Sequence, residues 1–152
     1  MISDNTKQSA AILSIGGLKL IFPQSDIISV DVVADAISTE NSNPLIAAVL
    51  NKPEGELPVY AFSGELQLQS SLTDESRFCV CIKRHDVYYS LACDGVEVIQ
   101  LDSNIMQELM PFIMKTDNSP VLKLMLYKQD VVLVVDALSV NKYLQSVENN
   151  DV

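Results

Sequence analysis

The chain has 152 residues, of which 48% are hydrophobic and 20% charged. This length is typical of a single domain of roughly 100–200 residues, and so apolar a chain is not disordered. The formal net charge of −10 argues against nucleic acid and against an anionic membrane surface as partners, because both are bound through clustered cations.

The N-terminal segment is polar, and residues 1–10 are predicted to be disordered. It has no apolar stretch of signal-peptide length, and no apolar run in the chain approaches the roughly 18 residues of a spanning helix. Both observations favour a cytoplasmic protein without direct membrane insertion. The first apolar runs, residues 11–15 and 18–22, flank Gly16-Gly17 and predict a hairpin.

The next part of the chain alternates strands with polar turns. The β-branched run at residues 27–33 predicts a strand, and the polar stretch at 34–44 predicts a loop. A short apolar run precedes the turn at residues 51–56, and residues 57–62 predict another strand. Residues 63–76 are predicted to be irregular or a short helix.

The segment from residue 77 to 101 has the strongest β signal. Two apolar runs, residues 78–82 and 87–93, surround a charged turn that contains His85. Asp94-Gly95 then precedes a third apolar run, and Asp-Gly between apolar runs is a strong hairpin signal.

The C-terminal part mixes helix and strand signals. Asp102-Ser103-Asn104 predicts the start of a helix whose apolar residues run from 105 to 113. Residues 121–127 and 131–135 predict a final hairpin, after which Asp136 caps a last helix. Residues 146–152 are predicted to be a disordered acidic tail. Many short strands with few helices predict a mainly β fold, a barrel or a sandwich.

Cysteine and histidine do not form an evident catalytic or metal set. Cys79 and Cys81 share one face of a strand, and with Cys93 they make an odd number of thiols, which favours reduced, buried residues over a zinc site. His85 beside Asp86 is predicted to lie in a turn. We therefore expect no metal and no catalytic residue here.

The glycines and carboxylates give no enzyme signature either. None of the five glycines forms a phosphate-binding loop, and the 20 acidic residues contain no calcium-loop pattern. Two catalytic carboxylates that meet only in the folded chain would leave no motif in the sequence, so a catalytic β barrel is an alternative. A binding module without a cofactor is the preferred interpretation. A small-ligand-binding or catalytic β barrel and a structural dimer unit are the alternatives.

The order of elements resembles the CheW-like domain of bacterial chemotaxis coupling proteins over about residues 11–144. Residues 21–23 (IFP), followed by Ile27 and Val30, are similar to the family's L-P-I-x-x-V-x-E-V segment. Asn51 with Pro58-Val59 matches the frame of N-L-R-G-x-x-x-P-V. Residues 91–98 (LACDGVEV) are similar to L-V-D-x-V-x-x-V, and residues 132–144 are similar to the terminal strand followed by L-D-x-x-x-L-L.

The resemblance implies a fold and a role. The fold is two closely packed, small five-stranded β barrels within a single domain at residues 11–145. The role is that of a non-enzymatic adaptor, which couples the cytoplasmic tip of chemoreceptors to the regulatory domain of a CheA-type histidine kinase, in chemotaxis or in type IV pilus twitching. The resemblance implies a cytoplasmic protein, a monomer or weak dimer, with no cofactor.

The chain departs from the family at polar positions. The family's Arg and Gly fall on Pro53 and Glu54, its Asp falls on Ala61, and its Glu falls on Ser29. A proline cannot make the bidentate contact of an arginine, so altered partners are the alternative hypothesis. The predicted partner-binding residues are those of the turn and of the preceding strand: Ile27, Ser29, Asn51, Lys52, Glu54 and Glu56.

Overall fold

The structure is a computed structural model that describes residues 8–38, 45–101, 107–108 and 119–150. Within these ranges the chain is mainly β and has one α-helix. The elements in chain order are β1 (Gln8–Ile15), β2 (Leu18–Pro23), a 3-10 helix (Gln24–Asp26), β3 (Ile27–Val32), a second 3-10 helix (Val33–Asp35), β4 (Ala36–Ser38), β5 (Ala48–Lys52), β6 (Gly55–Phe62), β7 (Leu68–Gln69), β8 (Phe78–Arg84), β9 (Val87–Cys93), β10 (Gly95–Leu101), β11 (Gln107–Glu108), β12 (Lys123–Tyr127), β13 (Asp130–Val134) and α1 (Ala137–Asn150).

The strands form two sheets. The six-stranded sheet has the order β10-β1-β2-β13-β12-β11, and the seven-stranded sheet has the order β3-β8-β9-β6-β5-β4, with β7 paired to β6. All pairs are antiparallel except β13 with β2 and β6 with β9. Each sheet curls into a half-barrel, so the predicted fold class is confirmed.

Alternate residues of the central strands face different cores. On β1, Leu13 faces a central core between the two sheets, whereas Ile12 belongs to a core inside the six-stranded sheet. On β8, Val80 faces the central core and Cys81 faces the core inside the seven-stranded sheet. Because both faces of these strands are buried, their sequences are nearly continuous apolar runs. Each fully buried side chain of this size contributes about 1.5–3 kcal/mol.

The predicted Asp94-Gly95 hairpin is wrong. β10 pairs with β1, not with β9, so the chain crosses at Asp94 from one sheet to the other. The crossing is fixed by hydrogen bonds to the β1–β2 hairpin: Asp94 N–H donates to the Ser14 carbonyl at 2.7 Å, and its carboxylate accepts from Gly16 N–H at 2.8 Å. A long-range pairing therefore overrides the local turn signal.

The two sheets also approach each other at Gly16 and Gly64. Gly16 and Gly17 have φ of +55° and +88°, as the two central residues of a type I′ hairpin turn require. A Cβ on Gly64 would lie 2.6 Å from the carbonyl oxygen of Gly16, so only glycine fits at position 64 without a shift of the backbone.

Helix α1 is anchored at its N-terminus by a buried carboxylate. Asp26, 1% exposed, accepts a hydrogen bond from Ala137 N–H at 2.9 Å, and Arg84 Nε lies 3.6 Å from its other oxygen. Tyr89 O–H donates to the Ala137 carbonyl at 2.9 Å. Asp136 accepts from Ser139 N–H at 2.8 Å, which confirms the predicted cap.

Most of the other predicted elements are present, with shifted bounds. β1 begins inside the segment predicted to be disordered, and α1 continues into the predicted acidic tail because its N-terminal anchor and apolar face hold it against the core. The predicted loop at 34–44 contains a 3-10 helix and β4.

The helix predicted between residues 105 and 113 lies mostly outside the described residues. Its two described residues, Gln107 and Glu108, form a strand paired with β12. Across the described ranges, no helix is long and apolar enough to cross a membrane.

Candidate protein-binding surface

Strand β3 carries an apolar stripe on its outer face. Ile28, Val30 and Val32 are 50%, 46% and 50% exposed, whereas the alternating Ser29 and Asp31 are half-buried on the opposite face. Val30 and Val32 are two residues apart and lie on one face of the strand, and Ile28 precedes them at the register shift between Ile27 and Ser29. A row of exposed apolar groups of this kind is typical of a protein-binding surface.

The inner face of β3 holds a polar cluster centred on Asp31. Its Oδ2 accepts from Lys52 Nζ at 2.8 Å, from the Cys81 thiol at 3.3 Å and from the Ser29 hydroxyl at 3.4 Å. The hydrogen bond from Lys52 lowers the pKa of Asp31 below its usual value, against the opposing effect of burial. The same bond raises the pKa of Lys52, so the pair stays charged at neutral pH.

The tip of the β5–β6 hairpin is acidic and exposed. Asn51 lies opposite Glu56 across the hairpin, and both are exposed, as is Glu54 in the turn. Lys52 is half-buried because its ammonium group reaches back to Asp31. Gly55 has φ of +133°, a conformation that side-chain-bearing residues rarely adopt.

The structure separates the predicted site residues into two groups. Asn51, Lys52, Glu54 and Glu56 lie together on the hairpin tip. Ile27 and Ser29 are only half-buried and lie apart from the tip: Ile27 packs against the central core, and the Ser29 hydroxyl lies 3.4 Å from Asp31 Oδ2.

Sequence reasoning missed the exposed stripe of Ile28, Val30 and Val32. The signal was present as the alternation of these residues with Ser29 and Asp31. This alternation predicts that the apolar face of β3 is the buried one, because apolar residues are normally inside, whereas the structure exposes it. The ion pair with Lys52 and the hydrogen bond from the Cys81 thiol accommodate Asp31 on the inner face.

The three thiols are structural. Cys79, Cys81 and Cys93 are buried, as predicted. Burial raises the pKa of Cys79 to about 11 and that of Cys93 to about 12, and it also raises the pKa of Cys81. Thiols of this kind are protonated and unreactive at neutral pH.

The described part of the chain brings together no group of three or more His, Cys, Asp or Glu side chains that could hold a metal ion. His85 is exposed in the β8–β9 turn with φ of +57°, which agrees with the turn predicted there. An open cleft of about 330 Å³ adjoins the C-terminal end of β3; its lining residues are Val32, Val33, Ala34, Asp74, Ser76 and Arg77.

The architecture is that of a CheW-like fold, in which two β units pack against each other. The structure is similar to the crystal structure of the scaffolding protein TtCheW from Thermoanaerobacter tengcongensis, with a TM-score of 0.65 and 15% sequence identity. The likeness covers 89% of this chain and 88% of that chain, and at this identity it shows the fold alone. No family model matches the sequence, and no curated protein matches it.

Proposed function

We propose that this protein is a non-enzymatic, cytoplasmic adaptor of bacterial chemotaxis or motility signalling. It would couple the cytoplasmic tip of a chemoreceptor to the regulatory domain of a CheA-type histidine kinase by binding alone. The observation that carries the proposal is the likeness to a scaffolding protein over 89% of this chain. Fold does not fix function by itself, so the surface must supply the rest of the support.

The outer face of β3 supplies an apolar anchor. Ile28, Val30 and Val32 are each about half exposed, and side chains of this kind provide the central contacts of an interface once a partner covers them. The acidic hairpin tip, with Glu54 and Glu56 exposed, favours a partner that presents basic groups at its rim.

The alternative proposal is an adaptor of the same fold with altered partners. Pro53 and Glu54 stand in the exposed turn where the resemblance expects Arg and Gly. Proline removes the positive charge of the arginine, and the glutamate adds a negative charge where the family has glycine. The turn that a partner meets thus changes from basic to acidic, which opposes the original partner and favours a basic one.

Co-elution on a size-exclusion column tests the main proposal. The full chain is mixed with a CheA-type regulatory domain and with a receptor-tip fragment, and we expect a complex with at least one of them. Absence of a complex with both fragments would contradict the main proposal and favour the altered-partner alternative.

Surface variants then locate the contact. Glu54→Lys and Ile28→Lys are expected to weaken the complex about tenfold, since they reverse a charge on the hairpin tip and place a charge on the apolar stripe. Lys52→Glu is a poor variant, because it would set a second carboxylate against Asp31. Val98→Lys is the matched control: Val98 is 59% exposed on β10, in the other sheet.

A further inference from the structure

The open cleft of about 330 Å³ at the C-terminal end of β3 has an apolar wall and a polar wall. The first consists of Val32, Val33 and Ala34, and the second of Asp74, Ser76 and Arg77. Val33 N–H donates to the Arg77 carbonyl at 2.9 Å, and Arg77 N–H donates to the Cys93 carbonyl at 2.9 Å. These bonds fix both walls to the seven-stranded sheet, so the cleft is already formed without a partner. Its volume is at the small end of ligand pockets, so it suits a single side chain rather than a cofactor.

The apolar wall of the cleft continues the exposed face of β3. Val32 lines the cleft and is 50% exposed, and Val30, two residues before it on the same face, is 46% exposed. Val33 is half-buried and packs against the core inside the seven-stranded sheet. A partner that covers the outer face of β3 therefore also covers the mouth of the cleft.

The polar wall carries a carboxylate that is available to a ligand. Asp74 is exposed, and across the described residues no cation forms an ion pair with it, although Arg77 lines the same cleft. Its turn is held by other groups: Glu75 N–H donates to Thr73 Oγ1 at 3.2 Å, and Ser76 N–H donates to the Thr73 carbonyl at 3.2 Å. The fold of the turn therefore does not depend on the Asp74 carboxylate.

The charges around the cleft favour a cationic ligand. Asp35 and Glu75 are exposed beside its two walls, and neither forms an ion pair within the part of the chain that the structure describes. Together with Asp74 they oppose the single guanidinium of Arg77 with a surplus of carboxylates. The whole chain carries −10, so the local and the long-range fields both attract a cation and repel a carboxylate.

We propose that this cleft receives an arginine side chain of a partner protein, an inference that rests on the proposed use of β3 as a binding face. The guanidinium pairs with the Asp74 carboxylate, because its planar fork matches a carboxylate better than a lysine ammonium does. The aliphatic part of the arginine packs on Val32 and Val33, and an apolar neighbour of the arginine in the partner covers Val30. Arg77, as a like charge in the same cleft, limits the affinity.

Titration of the isotope-labelled full chain with capped dipeptides, followed through its amide resonances, tests the cleft directly. Acetyl-valyl-arginine amide should shift the amides of Val33, Asp74 and Ser76 with a Kd of about 1–10 mM. Acetyl-valyl-glutamine amide and acetyl-valyl-glutamate amide should shift them far less. Binding of the arginine dipeptide should weaken between about 0.05 M and about 0.5 M NaCl, because salt screens the attraction.

Three variants assign the contact. Asp74→Asn should weaken binding of the arginine dipeptide about two- to fivefold, as the loss of an exposed ion pair does. Asp86→Asn is the matched control, since it removes the same charge from the exposed β8–β9 turn, and it should leave the Kd unchanged. Arg77→Gln should strengthen binding about twofold, because it removes the opposing charge from the cleft.

The arginine site is overturned if the arginine dipeptide shifts none of these amides at about 20 mM, or if Asp74→Asn and Asp86→Asn weaken its binding equally. Tighter binding of the glutamate dipeptide that is lost in Arg77→Gln would also overturn it, since the cleft would then take a carboxylate. Co-elution with the kinase and receptor fragments is a separate measurement. A positive titration without co-elution would contradict the proposed partners and keep the site, whereas co-elution with a negative titration would keep the partners and remove the site.

Discussion

Lys52 Nζ lies 2.8 Å from Asp31 Oδ2, although their strands, β5 and β3, are not neighbours in the sheet. Three strands, β8, β9 and β6, stand between them in the order of pairing. The two side chains meet because the seven-stranded sheet curls. The ion pair therefore joins the two sides of a half-barrel that backbone pairing leaves open within the described residues.

The Asp31–Lys52 pair should make stability depend on pH at the acid end. The pKa of Asp31 is lowered from 3.8 in the folded chain, chiefly by the hydrogen bond from Lys52. Its contribution is then present above pH 3.8 and is lost as the pH falls through the folded pKa. Asp31→Asn is expected to be about 1 kcal/mol less stable at pH 7, because the pair is only half-buried.

Urea denaturation at pH 7 and at about pH 2.5 measures this effect. The difference between Asp31→Asn and the native chain should shrink at the lower pH. Asp130→Asn serves as the control, because Asp130 is an exposed partner of Lys19 at 3.9 Å. A difference that is the same at both pH values would show that the carboxylate contributes no charge-dependent stability.

Asp26→Ala should be far more damaging than a change at an exposed carboxylate. It leaves Ala137 N–H without its buried acceptor and removes a partner of Arg84. We expect a loss of about 2–4 kcal/mol in the free energy of unfolding. Asp86→Ala, in the exposed β8–β9 turn, is the control. A loss of the same size in both variants would show that Asp26 does not anchor α1.

The thiols should be unreactive until the chain unfolds. The pKa values of Cys79 and Cys93 are raised to about 11 and about 12, and all three cysteines are buried. At pH 8, Ellman's reagent should label the native chain slowly and label three thiols in denaturant. Val98→Cys adds one exposed thiol that should react at once. Rapid labelling of a native cysteine would contradict the assigned burial.

Gly64→Ala should destabilise the contact between the two sheets. Its Cβ would lie 2.6 Å from the Gly16 carbonyl oxygen, and relief of such a clash in a packed region costs about 1–3 kcal/mol. Gly95→Ala is the matched control, since a Cβ there has no atom within 4 Å. In thermal unfolding, Gly64→Ala should have a lower midpoint than the native chain and Gly95→Ala should not. An unchanged midpoint of Gly64→Ala would show that the backbone around residue 64 relieves the clash without loss of stability.

The local features of the fold could be predicted from the sequence. Gly16-Gly17 and the residues between the last two strands each gave a hairpin in the correct place. The final turn was the less evident of the two, because Lys128 and Gln129 adopt positive φ without a glycine. Short-range turn chemistry and apolar runs are sufficient for such elements.

Long-range features could not be predicted in the same way. Asp94-Gly95 has the sequence of a hairpin, but its partners are Ser14 and Gly16, far away in the chain. In the sequence Asp31 and Lys52 are two unrelated polar residues, and only the curl of the sheet brings their side chains together. The alternation along β3 showed that one face is apolar and the other polar, but which face points inward depended on contacts between distant strands.

The two sheets take their strands from different parts of the chain. The seven-stranded sheet uses one continuous stretch, β3 to β9, whereas the six-stranded sheet joins β1 and β2 to β10 and later strands. During synthesis the first sheet is complete before most of the second has left the ribosome. The β1–β2 hairpin therefore keeps its apolar faces exposed until its partner strands β10 and β13 have been synthesised. Completion of the domain therefore requires the chain to return to its own beginning, a contact of long sequence separation.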